Sequence, residues 1–188
     1  MIELKRVVDF PNSFINYKNR FFWLLVLHII FNVSFWNTTS RIEYRTKYFT
    51  HLIGDSKLAV YTHSAMIFLF GLSRNYLYRY VVNINRSFIP IKGNQLFNYF
   101  GYLIIIFGTI LVVTSTYKLG IIGVYNADAF GFPLPYVVSF PYNLFRAPMY
   151  LGSTLNFLGY AVIKKSYTGL FFSYFVGIVY FCGSLFEE

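Results

Sequence analysis

Charge is scarce in this chain. Only 12% of its 188 residues are Asp, Glu, Lys or Arg, about half the share of an ordinary soluble domain. Acidic residues are the scarcest, seven against sixteen basic ones, for a net charge of +9. A single cysteine, Cys182, excludes an internal disulfide and a cysteine-based metal site. The histidines His28, His51 and His63 are too scattered for a metal site, so no metal is expected. The opening stretch MIELKRVVDF is mixed in charge and has no apolar core before residue 21. No cleavable signal peptide is therefore expected, and targeting falls to later segments. Internal repeats and low-complexity tracts are also missing.

Apolar residues fill the space, at 56% of the chain, with aromatics alone at 23%. They fall in stretches without any charge: residues 21–40, 58–73, 93–117, 147–163 and 166–186. A helix that crosses a bilayer needs about 20 mostly apolar residues. The third and fifth stretches meet that length, the first two are marginal and the fourth is short. Basic residues sit in the connections between them, as membrane anchoring and orientation require. They form no continuous basic face, so nucleic acid is not an expected partner. Apolar segments in lipid must satisfy their backbone internally and are therefore helical. These features predict an all-α integral membrane protein, a single membrane-embedded domain over residues 1–188. Its bundle would hold four to five hydrophobic helices, at 21–36, 58–72, 96–117, 150–163 and 169–186. His28 and Asn32 interrupt the first, which either crosses or is re-entrant. Residues 37–57, 73–95 and 118–149 are expected to be loops.

The C-terminal third carries the densest chemistry. FRAPMYLGSTLNFLGY, residues 145–160, opens an apolar helix with an arginine, a proline and a tyrosine. The chain turns at Lys164-Lys165 and stops on LFEE. If the last two helices are antiparallel arms of roughly 20 and 27 Å, then Arg146, Tyr150, Glu187 and Glu188 meet at one end. Gly152, Asn156, Gly159 and Ile163 share one face, small and polar enough for close helix contact. Two carboxylates at a helix C-terminus oppose its dipole, at a cost of about 0.3–1 kcal/mol each. They are either a polar end reaching water or functional acids at the membrane edge. Acids and tyrosine faces around one mouth suit a cationic ligand.

RAPMYLGSTLNFLGYAVIKKSYTGLF with its closing Glu-Glu resembles the phospholipid N-methyltransferases. FNVSFWNTTSRIEY (31–44), STYKLGIIGVYNADAFG (115–131) and SFPYN (139–143) extend the resemblance, in order, from about residue 30 to the end. The family methylates phosphatidylethanolamine or its mono- and dimethyl derivatives to phosphatidylcholine, with S-adenosylmethionine as methyl donor, in the endoplasmic reticulum membrane. The resemblance implies cofactor contacts at a Gly-x-Gly, which falls on Ile106, Phe107 and Gly108, and at Glu187 and Glu188. Pro148 and Tyr150 are further candidates for the site, with Tyr150 lining the sulfonium, Arg146 on the cofactor carboxylate or the lipid phosphate and Asn156 in a positioning role. This chain departs from the family at Ile106 (glycine in the family), at Ala127 within the loop, and at Ala147 (asparagine or histidine). The chain stops at Glu188, where the family runs on for a short tail.

Methyl transfer to an amine needs the neutral base, so a site for it must desolvate the lipid ammonium or take its proton. Two other readings stay open: a membrane isoprenylcysteine carboxyl methyltransferase with a similar Pro-x-Tyr and Glu-Glu layout, and a degenerate, non-catalytic relative. Topology is under tension. A cytosolic Glu pair and a cytosolic basic segment at 73–95 are compatible only if residues 150–163 fail to cross. Asn37-Thr38-Thr39 and Asn85-Arg86-Ser87 are glycosylation sequons that bear on that question.

Overall fold

A computed structural model of the chain describes residues 15–85 and 95–186. Among these, six α-helices and two short 3-10 turns make up the fold. Helix α1 (Arg20–Thr46) starts where the Asn19 side chain accepts a hydrogen bond from Phe21 N, and it ends on Lys47 in the left-handed region. Helix α2 (Tyr48–Ile53) follows at once, then α3 (Ser56–Ile84), whose cap Asp55 accepts from Leu58 N. Helix α4 is Gln95–Leu119. Turns at Gly123–Tyr125 and Ala127–Phe130 lie in the long connection that leads to α5 (Pro148–Lys164). Lys165, again left-handed at φ 49°, reverses the chain into α6 (Tyr167–Leu185). The five long helices form the bundle. Three of them, α1, α4 and α6, are long and apolar enough to cross a membrane.

Two expected loops turn out to be helical. α1 runs ten residues past Trp36 to Thr46, and α3 runs on from Leu72 to Ile84. The loss of apolar character at these points marks where the helix leaves the apolar layer, not where the helix stops. α1 is also one continuous helix through His28 and Asn32, with no break of the kind a re-entrant segment needs. His28 Nε2 meets Ser73 Oγ on α3 at 2.9 Å. His28 is thus matched by a polar group on the neighbouring helix.

Side-chain contacts set the helix directions. Thr39 Oγ1 meets His63 Nε2 at 2.8 Å, which with the His28 contact makes α1 and α3 antiparallel. Phe22 packs on Phe172, and Arg41 reaches the Phe186 carbonyl, so α1 and α6 are parallel. α5 is antiparallel to both α4 and α6. The tightest seam joins α4 to α5: a Cβ on Gly108 would come 2.7 Å from the Gly152 carbonyl, and one on Gly159 would come 2.7 Å from the Gly101 carbonyl. The small face at 152–163 therefore packs against α4, where glycines let the two backbones touch. Phe22, Leu25, Ile29, Phe172 and Val176 form the core between α1 and α6, while Leu103, Phe181 and many other apolar residues face outward. This outward apolar surface suits a lipid environment.

α5 runs alongside α4 and α6 for its full length. The C-terminal end of α3 and the start of α4 therefore lie at the opposite end of the bundle from Phe186. With 17 residues, α5 is shorter than the three candidate spans, yet it packs antiparallel along α4 and α6. Neither sequon presents an accessible, unengaged amide nitrogen: Asn37 Nδ2 donates to Val33 O within α1, and Asn85 is buried.

Candidate active site

At the end of the bundle where α1 and α6 finish lies a cavity of about 910 Å³, near the top of the range of about 300–1,000 Å³ for small-molecule sites. One wall is aromatic. The Trp36 and Tyr150 rings stack at 5.9 Å with planes 10° apart, and Tyr150 lies 5.0 Å from Tyr180. α1, α5 and α6 each supply one ring. Pro148 occupies the first turn of α5, where its missing N–H costs nothing, and it sets the level at which Tyr150 enters the wall. Arg41 and Arg146 line the cavity at its outer end beside Phe186, with Arg41 Nη2 donating to the Phe186 carbonyl at 2.6 Å. At the inner end, Asn32 and Arg74 are both buried and both line the cavity.

The connection after α4 closes over this space and is pinned to the helices beneath it. Asn126 adopts φ 61° and donates from Nδ2 to Ser40 Oγ at 3.1 Å. Lys47 Nζ donates to Ala129 O, and Ser56 Oγ donates to Phe130 O, both at 2.7 Å. Ala127, Ala129 and Phe130 bury against Ala59 and Val60 in a second small core. Glu43 holds the underside. Its fully buried carboxylate accepts from Phe49 N at 2.7 Å and from the Thr50 hydroxyl, and so caps α2 from one turn before it. Burial raises the phenols of Tyr125 and Tyr142, the latter partly offset by a hydrogen bond with Ser115. Both therefore present neutral hydroxyls to the cavity at neutral pH.

Of the residues singled out from sequence, Arg146, Pro148 and Tyr150 line the cavity. Asn156 does not. It faces α4, where Thr109 Oγ1 donates to its Oδ1 at 3.3 Å. Gly108 lies in the α4–α5 seam, while Ile106 and Phe107 are exposed on the outer surface of α4 and do not reach the cavity. Glu187 and Glu188 lie outside the described residues; Phe186, just before them, lines the cavity. Trp36, Tyr180, Asn32 and Arg74 also line it, and sequence reasoning gave none of them a role. Tyr180 is one of 18 tyrosines, with nothing local to distinguish it. Arg74 did carry a signal, as the first charge after an uncharged helical stretch. Of the family departures, Ala127 has no positive φ and needs no glycine. Ala147 stands at the α5 cap with no side-chain hydrogen bond, the place an asparagine would fill.

The fold is thus an all-α bundle with membrane-spanning helices and an aromatic, arginine-lined cavity at one end. The chain belongs to the phospholipid methyltransferase family: the family model "Phospholipid methyltransferase" matches residues 96–188, and curated relatives match most of the chain. "Phosphatidyl-N-methylethanolamine N-methyltransferase" of Schizosaccharomyces pombe is 40% identical over 172 residues, covering 90% of this chain and 87% of the relative. "Phosphatidylethanolamine N-methyltransferase A" of Dictyostelium discoideum is 33% identical over 182 residues, covering 96% and 85%. The Rattus norvegicus "Phosphatidylethanolamine N-methyltransferase" is 33% identical over 164 residues, covering 87% and 82%. No solved structure matches the chain. It is thus a multi-pass membrane methyltransferase, and a methyltransferase works with a methyl donor.

Proposed function

We propose that the protein transfers methyl groups from S-adenosylmethionine to phosphatidylethanolamine or its mono- and dimethyl derivatives, forming phosphatidylcholine, in the endoplasmic reticulum membrane. The observation that carries this reading is the aromatic wall of Trp36, Tyr150 and Tyr180 at the end of a membrane bundle, in a family whose relatives are named for phosphatidylethanolamine methylation. The donor supplies a methyl group on a positively charged sulfur. Stacked ring faces attract such a cation by about 0.5–2 kcal/mol where water is excluded. Arg146 at the outer end suits the donor's carboxylate through charge-assisted bonds. The position of Phe186 at the cavity supports a role there for Glu187 and Glu188, as ligands of the donor's ammonium and as acceptors of the substrate's proton. Gly108 and Asn156 act at a distance in this reading: their seam fixes α5 and with it the height of Tyr150.

The chemistry follows from these placements. The substrate ammonium first gives up a proton, for which a carboxylate at the bilayer edge is a suitable base. The freed nitrogen lone pair then forms the N–C bond while the C–S electrons return to sulfur. Holding the two reactants in line supplies several kcal/mol of barrier reduction, about 7–11 at best. The lipid never has to leave the bilayer. A prenylcysteine carboxylate as acceptor is not favoured, since the relatives are named for phospholipid amines.

Membranes bearing the full chain should move a labelled methyl from S-adenosylmethionine to phosphatidylethanolamine. Glu188→Gln should abolish transfer at unchanged expression. Methylation of a prenylcysteine carboxylate in place of lipid would overturn the proposal, as would the absence of any transfer.

A further inference from the structure

Arg74 is the residue in this fold whose charge has no evident reason to be where it is. It lies on α3, is 6% exposed and sits at the inner end of the cavity. Its described partners are all neutral. Nη1 donates to the Tyr180 hydroxyl, and Nε and Nη2 donate to Asn75 Oδ1 at 3.4 and 3.1 Å. The Phe157 and Tyr180 rings flank the guanidinium at 5.1 and 5.4 Å. These bonds leave one further N–H on each terminal nitrogen. Asn32, on α1, lines the same space, and its Nδ2 is a buried donor without a partner. A buried cation and a buried orphan donor are each costly alone. An anion between them would satisfy both.

The neighbouring wall suggests which anion. Tyr180 touches Arg74 on one side and Tyr150 on the other, so a cation-attracting ring pair and an anion-attracting guanidinium adjoin across a single side chain. A zwitterion with phosphate and amine two carbons apart fits such a pairing. The cavity also reaches apolar α3 side chains, Ile67, Phe68 and Leu72, which suits acyl chains better than a water-soluble donor. Resting on the function proposed above, we propose that Arg74 and Asn32 hold the phosphate of the lipid acceptor, so that its amine is presented at the aromatic wall.

The test is steady-state kinetics on the full chain in vesicles, with S-adenosylmethionine and phosphatidylethanolamine. Arg74→Gln should raise the lipid KM at least tenfold and leave the donor KM within twofold. Arg74→Lys should recover part of that loss. A phosphate-free alkyl ethanolamine should be used equally by wild type and Arg74→Gln, a pattern that general misfolding would not give. Asn32→Asp, which leaves Arg74 in the chain and replaces the orphan donor with a carboxylate that repels phosphate, should reproduce the lipid defect and covers the case in which Arg74→Gln is not recovered folded. A rise in donor KM alone would assign the site to the donor carboxylate and overturn the inference. An unchanged lipid KM in both variants would also overturn it. If wild type itself transfers no methyl to lipid, the functional reading has failed instead, and the kinetics separate the two.

Discussion

Glu43 shows how much of the site depends on single side chains that do no chemistry. Its carboxylate is fully buried, yet it leaves no charge stranded, because backbone and hydroxyl donors at the start of α2 converge on it. Glu43→Ala removes that cap and strands the donors, a loss of about 1–3 kcal/mol. Thermal unfolding in detergent should register it as a clear drop in midpoint. Ala147 is the opposite case, an open cap. Ala147→Asn should add about 0.5–1 kcal/mol, read as a raised unfolding midpoint with methyl transfer retained. At this scale the sequence was only half legible. Arg146, Pro148 and Tyr150 stood out because arginine, proline and tyrosine are unusual at the mouth of an apolar helix. Trp36 and Tyr180 did not, since in a chain so rich in aromatics a ring that lines a cavity looks like one that faces lipid. Asn32 and His28 appeared as interruptions of a span, and only their neighbours on α3 and in the cavity explain them.

Between helices, the α4–α5 seam carries the sharpest constraint. A Cβ on Gly152 would meet the Gly108 carbonyl at 2.5 Å, and backbone cannot swing aside as a side chain can. Gly152→Val should therefore force α5 away from α4, costing about 1–3 kcal/mol or more and shifting Tyr150 off the wall. Gly71→Ala on α3, where nothing lies within 4 Å, should fold as well as wild type. The expected comparison is a lower unfolding midpoint and lost transfer for the first, with neither change in folding for the second. The recurrence of Gly152, Asn156, Gly159 and Ile163 announced a close helix contact, and the structure names its partner. Helix lengths were less legible. Hydropathy reports the thickness of the apolar layer, so α1 and α3 seemed to end where they leave it, although the helices run on to their C-caps at Lys47 and Asn85.

For the whole molecule, helix direction decides what charge counting could not. Arg41, Arg45, Lys47, Lys57 and Arg146 belong to the cavity end, while Arg20, Arg79, Lys164 and Lys165 belong to the other. Both ends are basic, so the charge rule has little asymmetry to read. Contact geometry gives a firmer expectation. In a Cys182→Ser background, single cysteines at Lys57 and at Lys165 should react with a membrane-impermeant thiol reagent from opposite faces of sealed vesicles. Labelling of both from one face would mean that α5 does not cross. The sequons are poor reporters of the same question, since Asn37 Nδ2 is bonded within α1 and Asn85 is buried.

Everything proposed for the cavity requires that its aromatic wall receive the donor. Binding of S-adenosylmethionine to the purified full chain in lipid nanodiscs, wild type beside Tyr150→Leu and Ile106→Ala, addresses this most directly. Saturable binding that weakens at least tenfold in Tyr150→Leu and hardly changes in Ile106→Ala is the predicted result. No binding by wild type, or binding indifferent to Tyr150, would contradict the account.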